Sequence, residues 1–241
     1  MLVTAPRTSA SMRFELVREP ETGHFRIARD AEAPLLARKD SEFLFMFEKD
    51  MTIELQRQRA DLFFLHAAVV EYQGKTALIS APSGTGKSTL TFALLHSGFN
   101  YLSDELAPVE LNPLRVHPYP HALCLKAAPP EPYRLPVETL DAGRTLHVPP
   151  SVLPCKTITD PQTLNAIFFI RREGAAGGAE LKKLGDAEVV ARLYTNSLNA
   201  LAHAGDGLDA AVRIAECVPG YELDSTNLGA AMDAIRSALA Q

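Results

Sequence analysis

The chain has only three cysteines, Cys124, Cys155 and Cys217, among its 241 residues, and none has a close CxxC or Cys/His spacing. That scarcity argues against a zinc cluster and a disulfide framework, and points to idle or buried thiols in a reducing compartment. Positive charge is also in short supply. Lys plus Arg number 24 against 29 Asp plus Glu, a net charge of −5, with no cationic run. A sequence-independent nucleic-acid surface, which neutralises phosphates with clustered cations, is therefore not expected. No apolar stretch approaches the roughly 20 residues that span a bilayer, and the N-terminus, Met1 to Arg7, lacks the charged start and apolar run of a secretory leader. The expectation is a soluble cytoplasmic protein, with no membrane insertion and no nucleic-acid partner. Hydrophobic residues make up 46% of the chain, enough for a sizeable core. At roughly 100–200 residues per domain, the length suits one full domain with an appendage, or two small ones.

Of the 17 prolines, 11 fall between Pro113 and Pro161. Proline fixes φ and removes a donor, so this middle stretch is expected to hold loops, strand edges and short extended pieces. Ahead of it, Phe14 to Val17 and Phe25 to Ile27 read as short strands around a Glu21-Thr22-Gly23 turn. The recurrence of Phe43, Leu44, Phe47, Met51 and Leu55 predicts a helix over 41–59. Leu65 to Glu71 and Thr76 to Ser80 read as strands joined at Gln73-Gly74. Leu90 to His96 reads as a helix closed near Gly98. After the proline-rich stretch, strands are expected at Asn165 to Ile170 and, beyond a Gly174 to Gly178 turn, at Ala179 to Leu184 as its partner. Helices over 186–201 and 208–217, a strand at Tyr221 to Leu223 and a last helix capped by Ser225 or Thr226 complete the reading.

The densest signal is Ala81-Pro82-Ser83-Gly84-Thr85-Gly86-Lys87-Ser88-Thr89, between a strand and a helix. That context turns a P-loop pattern into a mechanism. Phosphate oxygens need several donors at once, and Gly84 and Gly86 let backbone amides converge on the anion. Lys87 adds a cation near the β and γ phosphates, Ser88 a hydroxyl for magnesium, and the helix start its positive dipole end. The pattern GxxxxGK[ST] would place glycine at position 81. Ala81 ahead of Pro82 should be extended, so the strand is expected to run one residue further. Candidate nucleotide-binding residues are Ser83, Gly84, Thr85, Gly86, Lys87, Ser88 and Thr89.

Between Lys87 and Asp104 there is room for one helix and its return strand, so Asp104 and Glu105 should emerge beside the P-loop. One carboxylate suits a phosphate-bound metal; the other suits the proton of an attacking hydroxyl, provided it lies within hydrogen-bond reach. His66 interrupts an apolar run, where an imidazole must be hydrogen-bonded or functional.

The run from Leu65-His66-Ala67 through the P-loop to Leu102-Ser103-Asp104-Glu105 resembles the catalytic core of HPr kinase/phosphorylase. More closely, it resembles the shorter HPr-kinase-related kinases of type A, within the phosphoenolpyruvate carboxykinase-like P-loop group. The resemblance covers about residues 62–111. It implies an α/β fold: a P-loop kinase core like the HPr kinase C-terminal domain, with a mixed central sheet flanked by helices and a small N-terminal α+β appendage. On this reading residues 1–60 form the appendage and 61–241 the kinase domain. The implied activity is ATP- and Mg2+-dependent phosphorylation of a hydroxyl, typically a serine of a protein or peptide. By position His66 matches the family's active-site histidine, and Asp104 the first residue of its acidic pair, taken as general base. Glu105 replaces the second aspartate and is taken with Ser88 as the metal contact; the two carboxylate roles are exchangeable. Lys87 and His66 join Asp104 as candidate catalytic residues, while Lys126, Arg171 and Arg172 are left open between supplying positive charge to the transferring phosphoryl group and being exposed strand-end residues. A small-molecule hydroxyl kinase and a nucleotide-gated, non-catalytic binding module are the alternatives, and homo-oligomerisation is left open.

Overall fold

The computed structural model describes residues 12–29, 32–174 and 178–240. The N-terminal segment read for a leader and positions 175–177 of the expected glycine turn lie outside them. The chain divides into two compact units, Met1–Leu55 and Gln56–Gln241. In the first, β1 (Phe14–Arg18), β2 (Phe25–Arg29) and β3 (Leu35–Ala37) form an antiparallel sheet in the order β1-β2-β3. The β1–β2 turn closes through Gly23, whose φ of 70° favours a residue without Cβ. Helix α1 (Asp40–Gln58) carries Phe43 and Phe47 one turn apart. Phe43 stacks on Phe25 at 4.4 Å between centroids and Phe47 meets Phe14 edge-on at 5.1 Å, so the aromatic spacing ties helix to sheet. Leu44 lies off that face and is exposed.

The second unit begins with β4 (Leu62–Leu65), β5 (Ala68–Tyr72), β6 (Lys75–Ser80), α2 (Lys87–Leu95), β7 (Asn100–Ser103), β8 (Ala107–Leu111) and β9 (Leu114–Val116). Besides β9, the strands of the proline-rich stretch are β10 (Leu123–Leu125), β11 (Leu140–Asp141) and β12 (Leu146–Val148), a small separate sheet in the order β10-β12-β11. Then come β13 (Gln162–Arg171), β14 (Ala179–Lys183), α3 (Asp186–Thr195), α4 (Leu208–Cys217), β15 (Gly220–Ser225) and α5 (Leu228–Leu239). The main sheet is mixed and has nine strands: its path runs β4-β8-β9-β13-β6-β5-β7, with β15 pairing both β13 and β14. β13 runs parallel to β6 and to β15.

Alternation along the central strands explains the helices on both faces. Ile79 and Phe168 pack into a core with Leu90 and Phe92 of α2 and Ile235 of α5; their neighbours Leu78, Ile167 and Phe169 pack with Val189 and Leu193 of α3 and Ile214 of α4. A two-residue period on a strand buried on both sides requires this division.

Several expected boundaries move for identifiable reasons. The apolar run through His66 is two strands, β4 and β5, because the backbone leaves the β8 ladder after Leu65 and His66 N–H donates instead to Asn196 O at 2.8 Å. β6 ends at Ser80, its last residue paired to β13, so the strand does not run through Ala81. β14 is not the partner of β13: β15 lies between them, burying Leu223, and β14 pairs only its outer edge. The helix expected to reach Leu201 stops at Thr195. Beyond it, the buried Asn199 side chain accepts from Phe64 N at 2.9 Å and donates to Leu62 O at 2.9 Å, stitching this segment to β4. The cap of α5 is Asn227, whose side chain accepts from Ala230 N at 3.0 Å, not Ser225 or Thr226.

Candidate functional site

The loop between β6 and α2 follows from its sequence. Gly84 and Gly86 have φ of 88° and 101°, values that L side chains rarely adopt. Gly86 is also confined from outside, since a Cβ there would come within 3.0 Å of Arg172 Nη1. The helix starts at Lys87 with Leu90 N–H donating to Gly86 O at 2.9 Å, and no acidic side chain occupies its first turn. The first-turn N–H groups and the positive end of the helix dipole thus face the loop with no acidic residue of their own turn beside them.

β7, antiparallel to β5, delivers Ser103 and then Asp104 to this loop. Asp104 is 1% exposed. Its Oδ2 accepts from Ser88 Oγ at 2.8 Å and from the Cys124 amide at 3.3 Å, and its Oδ1 faces Lys87 Nζ at 3.1 Å. Lys87, itself 8% exposed, also donates to the Asp104 carbonyl oxygen. Burying a carboxylate is costly unless its oxygens are satisfied; here both are, and by groups the loop sequence positions.

This cluster abuts a cavity of about 270 Å3 lined by Ser83, Gly84, Gly86, Lys87, Ser88 and Thr89 from the loop and helix, and by His66, Glu105, Cys124, Lys126, Thr145 and Arg172 around it. Thr85 lines an adjoining, larger cavity. The structure therefore brings His66, Lys87, Ser88, Asp104 and Glu105 together. Glu105, unlike Asp104, is exposed. The His66 imidazole is held below its ordinary pKa, first by burial and then by the Lys87 charge, with Glu105 and Asp104 acting in the opposite direction. It is the neutral form that this environment favours.

Three further residues stand at the cavity, of which the sequence offers Lys126 and Arg172 as open candidates and Cys124 only as a thiol. Lys126 Nζ donates to Ser83 Oγ at 2.7 Å from the end of β10. Arg172 follows β13 and lies over Gly86, whereas Arg171 faces Glu222 Oε1 at 3.3 Å and pairs with Glu173. Arg171 is the last residue of β13 and Arg172 the first beyond it, and the two meet different partners. Cys124 is not idle: its thiol is 3.3 Å from His147 Nδ1, and His147 Nε2 is 2.8 Å from Thr145 Oγ1. All three cysteines are free thiols, and burial pushes the Cys155 thiol up to about 11. Among the described residues no helix is long and apolar enough to cross a membrane.

No family model matches the chain, and no curated protein matches it. Among solved structures, the chain is similar to the Hpr(Ser) kinase/phosphatase from Coxiella burnetii, at 12% identity over 73% of this chain and 95% of that one, with a TM-score of 0.39.

Proposed function

We propose that the chain is an ATP- and magnesium-dependent kinase that transfers the γ-phosphoryl group to a hydroxyl, a serine of a protein or peptide. The observation that carries this reading is the bridge from Ser88 and Lys87, at the start of α2, to the buried carboxylate of Asp104 at the end of β7. Gly84, Gly86 and the helix start supply amides for the phosphates, and Lys87 the charge beside them. Ser88 Oγ and Asp104 Oδ2 are hard oxygen donors 2.8 Å apart. Mg2+ takes one or two carboxylates plus phosphate and water oxygens, so this pair fits it. Bound there, magnesium would neutralise charge on the β and γ oxygens.

Both oxygens of Asp104 are engaged by the P-loop and the Cys124 amide, while Glu105 is exposed at the cavity. We therefore favour the exchanged assignment, with Asp104 on the metal side and Glu105 as general base. The acceptor oxygen forms a bond to the γ phosphorus as the bond from that phosphorus to the β–γ bridging oxygen breaks. The hydroxyl proton passes to Glu105, and ADP leaves. Neutral His66 lines the same cavity and would orient the acceptor or Glu105. Lys126 and Arg172 would face the charge spread over the transferring group.

The test is mass spectrometry of serine-containing peptides incubated with the protein, ATP and Mg2+. Phosphoserine is expected from the wild type, and Glu105→Gln should lower its formation by about 100-fold or more while leaving ATP affinity unchanged. Tight ATP binding with no phosphorylated peptide would contradict the serine kinase reading and favour the nucleotide-gated module.

A further inference from the structure

One wall of the phosphate cavity has no part in transfer to an outside acceptor. It comes from the small sheet, where Cys124 on β10 and His147 on β12 are opposed in register. Thr145 precedes β12 at the β11–β12 turn, where its carbonyl accepts from Ala142 N–H at 2.9 Å. Its hydroxyl side chain lines the cavity together with Lys87 and Ser88. The Cys124 amide that bonds Asp104 Oδ2 ties the same wall to the metal side of the site.

Counting protons assigns the hydrogen bonds along this wall. The Cys124 thiol has one proton, and it is directed at Ala122 O, 3.4 Å away, an oxygen that can only accept. The 3.3 Å contact between Cys124 Sγ and His147 Nδ1 then takes its proton from the ring. A neutral imidazole carries one N–H, so its lone pair is left on Nε2. That nitrogen lies 2.8 Å from Thr145 Oγ1 and accepts the hydroxyl proton. A hydroxyl bonded to a base that a third group orients has the arrangement of an activated nucleophile. Thr145 and His147 are only half-buried.

We propose that Thr145 is an internal acceptor: the chain transfers the γ-phosphoryl group of its own bound ATP to this hydroxyl, with His147 as the general base. The inference rests on the kinase reading of the P-loop. Thr145 Oγ1 forms a bond to the γ phosphorus as the bond from that phosphorus to the β–γ bridging oxygen breaks. The electron pair leaves with ADP, and the hydroxyl proton passes to His147 Nε2 and then to water. Phosphothreonine adds about two negative charges, here in a cavity that Lys126 and Arg172 also line. It occupies the cations that would face the next ATP, and so restrains further turnover.

The full chain is incubated with ATP and Mg2+ but no peptide, and the modified residue is mapped by mass spectrometry at neutral pH, which preserves phosphohistidine as well. A phosphoryl group on Thr145 is expected, with a half-time unchanged by dilution of the protein, as for transfer within one chain. Thr145→Val should stay unmodified, Thr145→Ser should restore the modification, and His147→Gln should slow it by about 100-fold or more. Calorimetry of the modified protein should show Mg2+·ATP affinity lower by about 10-fold or more, the value of hydrogen bonds to charged groups given up to the covalent phosphate. Peptide phosphorylation by a chain that itself stays unmodified overturns this inference and leaves the kinase reading standing. A phosphoryl group on another residue, or a half-time that shortens as protein concentration rises, overturns it as well. An unslowed His147→Gln removes the base, and unchanged ATP affinity removes the restraint. Failure of the wild type to modify either itself or a peptide overturns the kinase reading together with this inference.

Discussion

Arg29 in the N-terminal unit and Lys87 in the C-terminal unit are both cations with less than a tenth of their surface exposed, yet their surroundings have opposite balances. Arg29 faces three carboxylates: Asp50 at 3.1 Å, Glu32 and Glu54, all from its own short stretch of chain. Burial opposes its charge, and Asp50 and Glu54 outweigh that opposition, so its pKa is raised. Around the smaller cavity the count runs the other way. Lys87, Lys126 and Arg172 stand there against Asp104 and Glu105, beside a helix start with no acidic residue. A cation saturated by carboxylates locks structure. A local excess of positive charge around an open cavity, in a chain of net charge −5, invites an anion.

The comparison can be broken from either side. The largest expected effect is on stability: Arg29→Met leaves its carboxylates without their counter-ion and should cost about 3 kcal/mol in denaturant unfolding, with ATP affinity unchanged. A loss of ATP affinity in that variant would erase the distinction between the two cations. The smallest effect belongs to His66. Its folded pKa lies below the unfolded value, so its contribution to stability is present above the unfolded pKa and is lost as pH falls through the folded one. His66→Gln should therefore show a shallower loss of melting temperature than the wild type on acidification from neutral pH. Parallel slopes would mean that Lys87 and burial do not act on the imidazole as described.

Much of the site was legible because its determinants are local. Gly84, Gly86, Lys87 and Ser88 lie within one turn-and-helix start, and Asp104 arrives after one helix and one strand, so sequence spacing alone brings them together. What was not legible depends on partners far along the chain. The placement of β15 between β13 and β14 is a pairing choice that neither strand's own pattern encodes. Asn199 reads as a polar residue near a helix end, and only the open backbone groups of β4 make it a buried stitch. The Cys124 amide reaches Asp104 from the proline-rich stretch, whose turns give no periodicity from which to place it. Arg171 and Arg172 look alike in sequence, and only where β13 ends separates them, Arg171 facing Glu222 from the strand and Arg172 lying beyond it over Gly86.

The central claim is that Lys87 and its neighbours form a phosphate cradle and not a second structural ion pair. Isothermal titration of Mg2+·ATP into the wild type and Lys87→Ala, with circular dichroism to verify the fold, tests it most directly. The account predicts a folded variant whose ATP affinity is lower by about 10- to 100-fold, the value of hydrogen bonds to a charged group. Equal affinity in the two proteins would contradict it.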